Sequence, residues 1–157
     1  FMKIPKEINN MLKNYKKYYD FSGYKLTCYG KLSDIEDKTE LKKIRGAYII
    51  LSDEQEFVYP NGNSKICYIG KSENLYSRLN SHRKNTLGVK EYLEKDLKNY
   101  FSYDRYCYMY KFGANVYVIE KEDEFPENLE YYLLDAFYCS YYAFPVGNNQ
   151  GPKYREK

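Results

Sequence analysis

The sequence predicts a mixed α/β (α+β) fold in which short strands are set among amphipathic helices. Two apolar runs of strand length, Gly46 to Leu51 and Lys65 to Gly70, flank a polar link with the turn signal Pro60-Asn61-Gly62-Asn63. Strands joined by such a link are expected to pair antiparallel. Helical periodicity appears at Lys6 to Tyr19 and again after Pro126. With 157 residues the chain has room for one domain with a real core; a domain of this size buries roughly 70% of its unfolded surface.

Taken in order, Ile8, Met11, Leu12 and Tyr15 share one face of the first helix, with lysines on the others, and Ser22-Gly23 breaks it. Tyr24 to Tyr29 is a short strand before Gly30. Ser33 has the chemistry of an N-cap for a second helix through Ile44, with Asp34, Glu36 and Asp37 in its first turns. After the strand pair, Asn74 to Lys84 is a helix capped by Ser72 or Asn74. Val89 to Tyr100 is another, with Tyr92, Leu93 and Leu97 facing in. Tyr106 to Lys111 and Asn115 to Glu120 are strand-like around Phe112-Gly113. Pro126 opens a last helix to about Tyr142, as proline does at a first turn, and Pro145 to Gly151 forms a tail loop.

Charge is unevenly spread. Residues 1–45 hold 11 Lys/Arg against 6 Asp/Glu, and residues 46–157 hold 14 against 16, so the whole excess of the net +3 lies in the first third. That pattern suits either a polyanion partner or a solvated lysine-rich helix. The 22 tyrosines, beside 8 Phe and no Trp, serve first as core aromatics with polar tips. Cys28, Cys67, Cys107 and Cys139 stand far apart, and one histidine cannot complete a Cys/His zinc site, so buried reduced thiols are expected. No leader and no membrane-spanning apolar run is evident, and a cytoplasmic location with no membrane partner is expected.

The chemistry concentrates between Gly46 and His82. Arg78 and His82 are four apart and share a helix face bordering Leu75 and Leu79. The guanidinium suits phosphate oxygens, and an imidazole handles protons near neutral pH. An Arg beside a His on a helix is also a common surface feature. On the last helix, Leu129, Leu133, Leu134, Ala136, Phe137 and Ser140 form an inward arc at about 100° per residue, with Glu130 inside it and Asp135 opposite. A carboxylate so placed needs a partner, either a basic residue such as Arg78 or a metal.

Gly46-Ala47-Tyr48, then Tyr68-Ile69-Gly70-Lys71, then the run Asn74 to His82, then Glu130 with Leu133-Leu134, then Pro145-Val146-Gly147-Asn148, together resemble the GIY-YIG nuclease family. The resemblance spans Gly46 to about Gly151 and leaves residues 1–45 as a basic, mostly helical N-terminal extension packed on a 46–157 nuclease domain. It implies an α/β sandwich with a three-stranded antiparallel sheet flanked by helices. It further implies hydrolysis of DNA phosphodiesters with one divalent ion, Mg²⁺ or Mn²⁺, bound mainly together with DNA. By the same resemblance Glu130 is the metal ligand and Arg78 holds the scissile phosphate. Tyr48 touches the attacking water, Tyr68 and His82 assist it, Lys71 adds a phosphate contact and Asn148 braces the site.

Departures are Ala47 in the middle of the first triplet and a long link, Ser52 to Ser64, expected to reshape the groove. Recognition then falls to residues 1–45, to loops or to a partner. Lys13, Lys16, Lys17, Lys42, Lys43, Arg45 and Arg83 are the candidate DNA-backbone contacts, expected beside the active site. The expected protein is a restriction-like or standalone endonuclease, with a homodimer or a recognition subunit as the open partner arrangements. The rival readings are a catalytically inactive nucleic-acid-binding module on the same fold, or a structural adaptor with the tyrosines as core.

Overall fold

The computed structural model describes residues 4–94 and 104–148, with side chains at 92–94 and 104 excepted. Its elements are α1 (Lys6–Tyr15), β1 (Lys25–Lys31), β2 (Gly46–Leu51), β3 (Phe57–Tyr59), β4 (Gly62–Ser64), β5 (Ile66–Ser72), α2 (Leu75–Glu94), α3 (Asp104–Phe112), β6 (Asn115–Glu120) and α4 (Pro126–Tyr141). The fold is mixed α/β, with a four-stranded antiparallel sheet ordered β1-β6-β2-β5 and a separate β3-β4 hairpin. No described helix is long and apolar enough to cross a membrane.

β2 is the central element. All six residues of Gly-Ala-Tyr-Ile-Ile-Leu are buried, as a continuous apolar run requires when both faces are covered. Ile49 and Ile50 are fully buried, each contributing roughly 1.5–3 kcal/mol. β5 pairs with it in the expected antiparallel sense, with Tyr48 opposite Gly70 and Ile50 opposite Tyr68.

Where the sheet was expected to have three strands it has four. The strand expected at Tyr24 to Tyr29, inside the N-terminal extension, is β1, which pairs with the free edge of β6. A sheet edge presents unpaired backbone groups, and β1 satisfies one of them here.

Two helical expectations and one strand expectation also change. The first helix stops at Tyr15, because residues 18 and 19 turn back onto the Tyr15 carbonyl and Tyr19 then stacks on Tyr132 with centroids 3.6 Å apart. The helix expected from Ser33 to Ile44 is two 3₁₀ segments, Leu32–Asp37 and Thr39–Lys43, broken at Lys38. Their buried residues Leu32, Ile35 and Leu41 recur in multiples of three, the period of a 3₁₀ helix. Tyr106 to Lys111 is helical rather than strand-like. The alternating tyrosines there imitate a strand, but the buried positions Tyr106 and Met109 are three apart, and Gly113 ends the helix at φ +85°.

α2 runs unbroken past Val89, so the helix expected to begin there continues the one before it. Tyr92, Leu93 and Leu97 lie outside the residues whose side chains are described. Asn74 caps α2 by accepting from the Ser77 N–H at 3.1 Å. α4 begins at Pro126 as expected, with Glu124 accepting from the Phe125 N–H at 3.1 Å. Of the four free thiols only Cys67 is buried; Cys28 is half-buried, and Cys107 and Cys139 are exposed. Asp135, expected on the solvent side, accepts the Tyr15 hydroxyl instead, because α1 packs against that flank of α4.

Candidate active site

The register of β2 and β5 decides which side chains can meet. Tyr48, Gly70, Ile50 and Tyr68 share one face of the sheet, while Ala47 and Lys71 point to the other. α2 supplies His82 to the first face. Its Nε2 lies 2.5 Å from the Tyr48 hydroxyl, and its Nδ1 lies 3.0 Å from the Tyr106 hydroxyl. Asn85 donates to Tyr106 at 3.1 Å. Tyr48 and His82 are 0% exposed and Tyr106 is buried, so the Tyr48–His82–Tyr106 bonds are shielded from solvent, while Asn85 at the far end is exposed.

Gly70 is what makes room for it. A Cβ there would meet the Tyr48 hydroxyl at 2.4 Å, its Cζ at 2.5 Å and Tyr68 Cε2 at 2.8 Å. Gly70→Ala is therefore expected to destabilise the fold by about 1–3 kcal/mol and to shift the near-ultraviolet tyrosine signal. Urea unfolding with no loss of stability would show that the Tyr48 ring has space to move.

Arg78 lies beside both hydroxyls. Burial alone would lower its pKa, but the Tyr48 and Tyr68 oxygens outweigh burial and hold it above the ordinary arginine value. Tyr48 is pushed well above the ordinary phenol range by burial and by Tyr68, against the pull of Arg78. His82 is pushed down to about 3 by burial, Arg78 and Arg105. The imidazole is therefore neutral at physiological pH, rather than poised near neutrality as its ordinary chemistry predicts. Each ring nitrogen has one partner, so one donates and the other accepts.

Glu130 approaches from α4. Its carboxyl is raised above the ordinary range by burial and by Glu127, while Lys71 and Arg78 oppose the shift. Lys71 Nζ lies 3.8 Å from Glu127 Oε1. Arg78 thus interacts with both tyrosine hydroxyls and acts electrostatically on Glu130. Two carboxylates three residues apart, half-buried beside cations, are oxygen donors of the kind a hard divalent cation accepts, with water and phosphate completing its shell. No group of three or more His, Cys, Asp or Glu able to hold a metal occurs among the described residues.

Asn148 fixes β5 from outside. Its Oδ1 accepts the Ile69 N–H at 3.0 Å and its Nδ2 donates to the Ile69 carbonyl at 2.8 Å. The Gly147 N–H donates to the Cys67 carbonyl at 2.8 Å. The tail thus stands where a further strand would pair, next to Tyr68.

The structure gathers Tyr48, Tyr68, Lys71, Arg78, His82, Glu130 and Asn148 around one edge, but it divides the basic candidates. Lys42 and Lys43 are exposed at that end of the sheet, Lys42 with its ammonium 4.9 Å from the Tyr76 ring. Arg45 is engaged by Glu73 at 3.5 Å and by the Glu122 and Glu124 carbonyls at 3.3 and 3.4 Å. Arg83 turns from Tyr48 toward Glu36, 3.6 Å away. Lys13, Lys16 and Lys17 follow α1 onto the flank of α4 that carries Tyr132 and Asp135, on the far side from Glu130, so they do not lie beside the site.

Among the described residues, the 52–64 link reaches this edge only through Tyr59, whose hydroxyl accepts the Val146 N–H at 3.1 Å next to the Gly147-Asn148 tail. Its tip residue Asn61 binds the Tyr141 and Ser140 carbonyls at the other end of α4. Sequence reasoning missed Tyr106, because a strand was expected from it onward, and Arg105, which fell in no expected element. Arg105 donates to the Tyr68 hydroxyl at 3.3 Å and lies 4.7 Å over its ring. The three-residue spacing of Tyr106 and Met109 was the available signal. Comparison of the chain with known protein families, with curated proteins and with solved structures gives no match.

Proposed function

We propose that the protein is a divalent-metal-dependent DNA endonuclease of the GIY-YIG type, restriction-like or standalone. The observation that carries the reading is Arg78, which interacts with the Tyr48 and Tyr68 hydroxyls and with the Glu130 carboxylate. A phosphate held there meets a cation, two phenols and a carboxylate with a raised pKa. Glu130, with Glu127 beside it, would hold Mg²⁺ or Mn²⁺, which supplies an acidified water and offsets charge on the phosphate.

In this reading the protein's own groups divide the work. Arg78 binds a non-bridging phosphate oxygen and stabilises its developing charge. Lys71, 40% exposed at its side chain, adds a second phosphate contact. Tyr48 takes the proton of the attacking water while its own proton passes to His82 Nε2. Phosphate charge beside Arg78 offsets the cationic influence that depresses His82, which raises the basicity of the imidazole when substrate binds. Tyr106 holds the far nitrogen of the ring.

One observation favours the second reading, a catalytically inactive nucleic-acid-binding module. The Tyr48 hydroxyl is fully buried, so water reaches it only if the edge opens on substrate. Supercoiled and linear DNA incubated with Mg²⁺, Mn²⁺ or EDTA separates the two. Cleavage that EDTA abolishes supports the enzyme, and binding without cleavage across varied substrates leaves the module. Lys42→Glu with Lys43→Glu is expected to weaken duplex binding and to reduce the slope of log K against log salt by about two. An unchanged slope would show that this end of the sheet does not meet the backbone.

A further inference from the structure

Three of the most exposed large side chains among the described residues gather in one place. Tyr18 is 65% exposed, Tyr138 46% and Tyr142 60%. They line a groove of about 570 Å³ together with Lys17, Asn14 and Asn61. Among the described residues no carboxylate lines it. Asp135, one turn earlier on α4 than Cys139 of the groove wall, is already engaged by the Tyr15 hydroxyl. Lys13, Lys16 and Lys17 are exposed along the adjoining end of α1, and Lys17 Nζ lies 5.1 Å from the Tyr18 ring.

Tyr142 also stands out for its backbone. It is the single non-glycine residue with positive φ among the described residues, at φ 59°. It closes α4 in the left-handed conformation, with its N–H on the Tyr138 carbonyl at 2.8 Å. Glycine takes that position without strain. A tyrosine stands there instead, with its ring mostly in water, where it contributes little packing. A non-glycine residue held in this conformation is uncommon, and such positions cluster at binding and active sites.

We propose that this groove binds unpaired bases of a nucleic-acid strand, stacked on the tyrosine faces, with Lys17 and its neighbours on the phosphates. Every base offers a π face, so stacking on exposed tyrosines tolerates any sequence, and lysines make the binding salt-dependent. The amides of Asn14 and Asn61 line the same groove. Tyr138 lies eight residues after Glu130 on α4, about 12 Å of helix rise. The groove therefore lies at the other end of α4 from Glu130, on the flank where α1 docks, as a site separate from that edge. The inference concerns binding and does not depend on cleavage.

The test is fluorescence anisotropy with a labelled oligothymidylate, in EDTA, at two salt concentrations. Wild type is expected to bind, more weakly at high salt. Tyr18→Ala combined with Tyr142→Gly is expected to raise Kd by roughly tenfold or more. Tyr142→Gly alone is expected to weaken binding while its Tm stays level or rises, which separates loss of a ligand contact from loss of fold. EDTA removes metal-dependent cleavage from the readout, so an inactive nuclease site leaves the result intact. Unchanged oligothymidylate affinity in the double variant overturns the proposal. So does absence of wild-type binding; a sedimenting dimer that the double variant dissociates would then make the groove a contact between copies of this chain.

Discussion

Glu130→Gln is expected to lower metal-dependent DNA cleavage by roughly 10³-fold or more, with thermal stability unchanged or slightly raised. The two effects separate because the carboxylate is costly where it stands. Its pKa is raised by burial and by Glu127, which means that the folded protein resists its charge despite Lys71 and Arg78. Glutamine keeps the volume and removes that charge. A residue retained only as an ion-pair partner would behave differently, since its loss would strand Arg78 and lower Tm. Cleavage assays and thermal melts on the same preparation decide between them. Full activity in the variant would remove Glu130 from the site, and lost activity with a lowered Tm would point to a structural ion pair.

The second large effect is the pH dependence of stability imposed by His82. The folded imidazole has its pKa lowered to about 3, against an ordinary 6.5. The unfolded chain therefore binds a proton at higher pH than the folded one. Stability from this group is fully present above pH 6.5 and falls as pH drops from 6.5 toward 3. The loss is about 2 kcal/mol by pH 5 and on the order of 5 kcal/mol by pH 3. Glu130 acts with the opposite sign, because a raised carboxyl is relieved as it gains a proton. Urea unfolding between pH 8 and 4 measures the sum. His82→Gln is expected to flatten the slope between pH 6.5 and 4. The same slope in that variant would mean that another group carries the titration.

Much of the candidate site was legible because its spacing is short-range. Arg78 and His82 fall on one face of α2 for any four-residue separation, and Tyr48 and Tyr68 fall on paired strands once the link between them is read as a turn. The inward position of Glu130 followed from the apolar arc of α4, and its burial follows that arc. Tyr106 escaped because alternating aromatics satisfy a strand pattern and a helix pattern equally over six residues; its burial against His82 settles the matter only in three dimensions. The 3₁₀ segments escaped because an N-cap serine and acidic first turns are shared by both helix types, although the multiples of three at Leu32, Ile35 and Leu41 distinguish them.

The sequence by itself determined the apolar periods, the turn and cap residues, and hence the central strand pair, the α4 arc and the set of polar groups that can meet. Tertiary structure alone decided the partners. β1 joins the sheet because β6 has a free edge, a long-range pairing that no local pattern encodes. The α1 lysines lie away from Glu130 because Tyr15 and Tyr19 dock on the flank of α4 carrying Asp135 and Tyr132. His82 is neutral because packing removes its water and sets two guanidinium groups near it. Charge and burial at a site are sums over neighbours distant in the chain, so a residue's identity fixes its ordinary chemistry and its surroundings fix the chemistry it performs.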